Sequence, residues 1–225
     1  MIRLKTGLFT SKSREVSLLA QLKSSWNYIK SPMYISYVIL FSMGSNCIGL
    51  ALNMTNDILR NSDLVIQGRK TFGDLQQFFE IVRVTTQIAV CWLAGYVSDV
   101  LYARVWKGKP NHDLKQVFLL YQIALIAMVL FSIALTVSNV IMFIVAMPIM
   151  TGMVMMYFLT GVAINFPIEA HGVLYGLIEL TGSIVAFSQQ SLSQHIKGLE
   201  DPLPFYTACQ WIHTGIALLT MLIGE

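Results

Sequence analysis

Charge is scarce in this chain: Asp, Glu, Lys and Arg make up 12% of 225 residues, against 55% hydrophobic. A soluble domain of this length and a disordered chain are both excluded, because each needs more polar surface to stay in water. Cysteine is scarce too. Cys47, Cys91 and Cys209 each lie inside an apolar run and lack metal-type spacing, which argues for buried, inert thiols over a disulfide framework or a zinc site and leaves the redox compartment open. His112, His171, His195 and His213 show no His-Glu-x-x-His or comparable spacing, so a membrane-embedded hydrolase or transferase is not expected. A channel is disfavoured by the lack of a filter-like Gly-Tyr-Gly segment and of an arginine ladder. No cofactor, metal or nucleic-acid partner is expected.

What the sequence does have is long apolar runs. About 20 helical residues cross a hydrocarbon layer of about 30 Å. Runs of that size extend over Tyr34–Met54, Leu75–Leu101, Val117–Val137, Val140–Ala163, Val173–Leu192 and Phe205–Ile223. They predict an all-α membrane protein, a six-helix bundle over residues 32–225, with the lipid bilayer as its first partner. Residues 1–31 carry Arg3, Lys5, Lys12, Arg14, Lys23 and Lys30 and read as a basic arm or a linker from a preceding domain. They stand too far from the first apolar run to form a secretory signal.

Lys and Arg resist translocation, so the arm and the Arg104–Lys115 loop are expected in the cytoplasm, with both chain ends on that side. The connection at Ser138 and Asn139 has no base, and the Lys197–Pro204 loop has only Lys197; both fit the outer face. Thr55–Asp74 reads as a solvated outer loop although it holds Arg60, Arg69 and Lys70, and Pro32 suits the first turn of span one.

Polar groups in hydrocarbon are costly unless they face protein or water, so each marks a contact or a cavity. Glu80 and Arg83 stand three residues apart on one face of span two, with Thr86 and Gln87 continuing the stripe; they read equally as a pore-facing pair and as a structural pair at the interface. Asp99 closes the same span in Gly95-Tyr96-Val97-Ser98-Asp99, before the basic residues that begin at Arg104. Glu179 lies about a third of the way into span five, with Thr181, Gly182 and Ser183 beside it, and the cavity reading is preferred over a structural hydrogen bond. Span four carries Pro148 together with several Met residues and Tyr157. A kink with an adaptable lining is expected there, although such Met stripes usually serve packing.

Between spans four and five the chain reads Asn165-Phe166-Pro167-Ile168-Glu169-Ala170-His171-Gly172-Val173-Leu174-Tyr175-Gly176-Leu177, and it reaches Gln189-Gln190 near the end of the next helix. This stretch resembles the eleventh helix of major facilitator superfamily transporters. More narrowly, it is similar to the facilitative large neutral amino-acid transporters of solute carrier family 43 and their protozoan relatives. Gly95-x-x-x-Asp99 with its basic loop looks like the carboxyl-half copy of the facilitator signature, though Val100 stands where a base often follows and Ser191 where Pro is expected.

The resemblance implies helices seven to twelve of a twelve-helix fold, which is one half built from two three-helix inverted repeats. It also implies a missing amino-terminal six-helix half as partner and transport of a small organic solute by alternating access, without covalent chemistry. For an amino-acid solute, Asn46, Asn53, Tyr157 and Glu179 are expected to provide binding contacts, chosen by polarity and depth. Asp99 takes the gating role of the signature loop, with Arg104 in the adjoining basic loop and Glu169 capping or pairing at the same gate. The competing reading is a six-helix accessory or scaffold protein in which these polar residues serve only as contacts.

Overall fold

A computed structural model describes residues 18–108, 112–199 and 201–223, so the first half of the basic arm lies outside the described residues. The described chain is helical: α1 (Leu18–Ile29), α2 (Pro32–Arg60), a short α3 (Asp63–Ile66), α4 (Phe72–Leu101), α5 (His112–Thr136), α6 (Val140–Asn165), α7 (Ile168–Lys197) and α8 (Pro202–Ile223). A π-helical turn, Tyr102–Trp106, continues α4. Among the described residues there is no strand.

Local chemistry fixes the helix ends. Ser31 Oγ accepts a hydrogen bond from Tyr34 N at 3.2 Å, with Pro32 in the first turn, where its missing N–H costs nothing. Thr71 and Asp74 form a reciprocal capping box at the start of α4. Asn139 Oδ1 accepts from the N–H groups of Ile141 and Met142 at 3.0 Å, and Ser138 before it turns the chain with φ +55°. Phe166 is extended (φ −123°, ψ 150°) and Pro167 follows, so α6 stops there and α7 begins afresh.

Five of these helices, α2, α4, α5, α6 and α7, are long and apolar enough to cross a membrane. The sixth expected span coincides with α8, but Gln210, Trp211 and His213 dilute the apolar character of its described part and it does not reach that standard. Two further boundaries differ from the sequence reading. The Thr55–Asp74 segment, expected as a loop, is helical up to Arg60 and contains α3. The second half of the arm forms α1.

Side-chain contacts give each helix its direction. Tyr34 OH donates to Leu174 O, Phe41 lies against Gly182 and Gln189 Nε2 donates to Ser45 O, so α2 and α7 run parallel. Tyr37 meets Gly161 and Asn165 while Gly44 meets Val154, so α2 and α6 are antiparallel. Phe79 stacks on Phe143 and Gly95 lies near Met156, so α4 runs with α6. Phe131 packs on Phe143 and Tyr121 on Tyr157, which sets α5 against α6. The pairs Tyr121–Ala217, Ser132–Thr214 and Thr136–Trp211 set α8 against α5.

The principal neighbours follow a pattern. α2 packs on α7 as α6 packs on α4; α2 packs on α8 as α6 packs on α5; α2 meets α6, and α5 meets α8. Exchanging α2, α4 and α5 for α6, α7 and α8 leaves these relations unchanged and reverses every helix direction. α2 and α6 are therefore central, while α4 and α7, which exchange with each other, have the smallest share of their lengths buried.

Close approach at α2 relies on glycine. A Cβ at Gly161 would collide with the Tyr37 ring and one at Gly49 with the Gln189 amide, whereas Gly172 and Gly176 face open space. Gly161→Val is expected to lower stability by about 1–3 kcal/mol, as overpacking does. Gly172→Ala and Gly176→Ala are expected to be neutral or stabilising by up to about 1 kcal/mol. Thermal unfolding of the purified chain in detergent, followed by size-exclusion recovery, distinguishes the two classes.

Candidate functional site

The polar groups of the long helices sort into three places. On α4, Arg83 holds Glu80 through two hydrogen bonds to Glu80 Oε2, at 2.9 Å from Nε and 2.6 Å from Nη2. It is the one ion pair among the described residues, and it sits on the sparsely covered surface of α4 with Glu80 exposed. Gln87 follows one turn on, half-buried beside Gly152 of α6. On α7, Glu179, Ser183 and Gln190 recur at intervals of four and seven residues and are all exposed. Gly172 and Gly176 extend that stripe toward the start of the helix, so a continuous small and polar face runs along α7.

The second place is an aromatic cluster where α2, α5 and α6 meet. Tyr37 stacks on Tyr157 with ring centroids 5.0 Å apart, and Tyr121 lies 5.1 Å from Tyr157. Hydroxyl groups tie this cluster to neighbouring backbones: Tyr34 OH donates to Leu174 O and Tyr121 OH to Ala217 O, both at 2.9 Å, and Tyr175 OH donates to Leu159 O at 2.8 Å. Asn165 Nδ2 donates to Tyr37 OH at 2.8 Å. The bonds of Tyr34 and Tyr121 are buried and satisfy hydroxyls that would otherwise lack a partner, while that of Tyr175 lies at the surface.

The third place is a buried polar layer between α2 and α8. Gln210 Nε2 donates to Cys47 O at 3.0 Å and pins α8 to α2. Ser42 Oγ, Asn46 Oδ1, Gln210 Oε1 and His213 Nδ1 are buried without a protein hydrogen-bond partner. Ser42 and Asn46 share one helix face, one turn apart, and so do Gln210 and His213.

The four residues expected to contact solute are not gathered into one cavity. Tyr157 is 5% exposed within the aromatic cluster, and Asn46 is 6% exposed in the polar layer. Tyr37 and Asn46 are nine residues apart, half a turn out of phase, so α2 itself separates the Tyr157 contact from Asn46. Asn53 is exposed toward the C-terminal end of α2, and Glu179 is exposed on α7.

The expected gating residues Asp99, Arg104 and Glu169 are all exposed at one end of the bundle: Asp99 in the last turn of α4, Arg104 in the π turn, and Glu169 in the first turn of α7. Their buried neighbours were not legible beforehand. Gln116 Nε2 donates to Ser98 Oγ at 2.7 Å beside Asp99, and His171 Nε2 is 2.8 Å from Phe166 O beside Glu169. Gln189 bonds to Ser45 O at 3.3 Å against Gly49, so half of the Gln-Gln motif is a helix-packing contact while Gln190 stays exposed.

At the opposite end, the turns after α2, α5 and α7 enclose a cavity of about 230 Å³ lined in part by Asp57, Asn61, Asp63, Asn139 and Asp201. Among the described residues its wall has carboxylates and no Lys or Arg. The sequence carried a signal for it, the recurrence of Asp and Asn at three connections assigned to one side. No group of three His, Cys, Asp or Glu is placed to hold a metal ion among the described residues.

Tyr121→Phe deletes the hydroxyl that joins α5 to α8 while keeping the ring. It is expected to cost about 0.6 kcal/mol, typical of interhelical hydrogen bonds in membranes. Its thermal midpoint in detergent should fall measurably below that of the parent, whereas Tyr96→Phe, on the exposed face of α4, leaves the midpoint unchanged.

Compared with models of known families, with curated proteins and with solved structures, the chain finds no match.

Proposed function

We propose that this chain is the carboxyl-terminal six-helix half of a major-facilitator-type transporter that moves a small organic solute, an amino acid, by alternating access. The observation that carries the reading is the pair α4 and α7. They exchange with each other in the neighbour pattern, they are the least covered of the five long helices, and they carry Glu80, Arg83, Glu179, Ser183 and Gln190 at membrane depth. A charged side chain at the centre of a lipid-facing helix costs about 2.5–3.5 kcal/mol on insertion scales. Two such faces on symmetry-related helices therefore call for a protein or water-filled neighbour rather than lipid. A second six-helix half provides one, with the solute between.

The reversed neighbour relations support the reading, since two three-helix repeats of inverted topology are the building plan of such halves. α8 then takes the sixth span, its polar residues turned toward α2 and α5. The similarity of the Asn165–Leu177 stretch to family 43 supports an amino acid as solute. Chemistry is confined to binding and release, and the chain is not an enzyme. Among the expected solute contacts, Glu179 suits a solute ammonium group best, because it stands open on the α7 face. Asp99, Arg104 and Glu169 share one end of the bundle, as a gate requires. The accessory-protein reading draws support from Gln189, whose amide serves packing, and it requires that Glu179 have no solute to meet.

Two measurements test the proposal. In the complete protein, uptake of large neutral amino acids is expected to fall roughly tenfold or more in Glu179→Gln and Glu179→Ala, the consequence of losing a charge-assisted contact of about 1.5–3 kcal/mol. Unchanged uptake across a panel of such solutes removes Glu179 from the site. Single cysteines placed at Lys107 and Ser138, in a background without Cys47, Cys91 and Cys209, are expected to react with impermeant maleimide from opposite sides, Lys107 from the cytoplasm. Labelling of both from one side overturns the helix threading and the transporter reading with it.

A further inference from the structure

Helix α1 takes no part in the polar faces of α4 and α7, touches the aromatic cluster through Tyr28, whose ring meets Phe166 edge-on, and has two distinct sides. Ser25, 1% exposed, and the half-buried Ile29 face the bundle, where α1 packs on α7 and α2. Lys23, Trp26, Asn27 and Lys30 recur at intervals of three and four along the other side, and all four are exposed. Trp26 is 53% exposed, an indole left outside the bundle, and Lys30 Nζ stands 4.8 Å from its ring centroid. Seven residues separate Lys23 from Lys30, about 10 Å along the helix at 1.5 Å per residue. α1 ends at Ile29, Lys30 closes its last turn through an N–H bond to Trp26 O at 3.2 Å, and Ser31 Oγ donates to Tyr28 O and caps α2, so α1 meets the long apolar helix at an elbow.

A short helix with basic side chains flanking an exposed tryptophan, joined at an elbow to a membrane-crossing helix, has the composition of an element lying in the headgroup layer. The indole sits at the boundary of hydrocarbon and water, and ammonium groups beside it reach phosphate oxygens. The charge balance of the chain agrees. Among the described residues, five bases, Lys23, Lys30, Arg104, Lys107 and Lys115, lie at the α1 end of the bundle. Three described acidic residues, Asp99, Asp113 and Glu169, belong to that end. Such an excess faces an anionic leaflet favourably and a zwitterionic one indifferently.

We propose that the Lys23–Trp26–Lys30 face of α1 is a binding surface for anionic phospholipid headgroups, holding the elbow between α1 and α2 at the membrane surface. The surface acts whether or not the chain transports a solute, and its readout is lipid retention.

Native mass spectrometry of the full purified chain, exchanged into phosphatidylglycerol or phosphatidylcholine of the same acyl chains, tests the proposal. The parent chain is expected to retain phosphatidylglycerol preferentially, and Lys23→Gln and Lys30→Gln each to lower that retention about fivefold, the worth of one surface lysine near an anionic leaflet. Phosphatidylcholine retention stays unchanged, the Lys23→Arg and Lys30→Arg variants keep the preference, and Lys197→Gln at the other end has no effect. Equal retention of the two lipids by the parent, or undiminished phosphatidylglycerol retention by the doubly substituted Lys23→Gln and Lys30→Gln chain, overturns it. Both lysines are exposed, so the variants are expected to keep the parent's thermal midpoint, which separates loss of binding from loss of fold.

Discussion

Within lipid, burying one apolar helix against another gains little from the hydrophobic effect, because the tails are as apolar as leucine, so close packing has to hold the bundle together. In this chain that packing converges on α2. Gly161 admits the Tyr37 ring, Gly49 the Gln189 amide, Gly182 the Phe41 ring, and Gly44 faces Val154. At each pair a Cβ in place of the glycine hydrogen would force the facing side chain to move. The aromatic stack and the bonds from Tyr34 and Gln189 then fall into place because the axes are already near. Remove the close approach and the polar bonds lose their geometry, since a tyrosine hydroxyl reaches a neighbouring carbonyl only across a short gap.

The same packing explains why the uncovered polar faces belong to α4 and α7. Helices α2 and α6 use most of their circumference on neighbours, and α5 and α8 are held to them and to each other. α4 and α7 each have one main long partner and leave wide faces uncovered. Those faces mix apolar residues such as Ile88, Trp92, Ile184 and Phe187 with Glu80, Glu179 and Gln190. Apolar residues there are content against lipid or protein, whereas the carboxylates are content only with a polar neighbour.

How much was legible in advance depended on whether one strand of sequence or two helices decided the outcome. Helix existence followed from the length of apolar runs, and Pro32, Asn139 and Pro167 marked ends correctly because a cap or a proline acts within its own turn. The extension of α2 past Met54 escaped notice, since hydropathy reports where hydrocarbon ends and the helix does not stop there. α1 was hidden in a segment whose charge dominated its weak apolar side. Site geometry was legible only for the i, i+3 pair Glu80 and Arg83, which a single helix brings together. Asn46 and Tyr157 looked like partners by depth, but their relation depended on which side of α2 met α6, and one sequence holds no record of that. The cavity at the ends of α2, α5 and α7 needed three separate turns to converge.

The π-helical turn Tyr102–Trp106 alters the bearing of everything after it. Lys107 N bonds to Tyr102 O, five residues back, at 2.8 Å, so the cylinder widens just where α4 leaves the bundle. An angular projection carried from Phe72 past Leu101 at 3.6 residues per turn therefore assigns Arg104 and Trp106 to the wrong compass points. Residues five apart, rather than four, come to lie above one another, and the basic connection is aimed by this local unwinding rather than by the phase of the long helix.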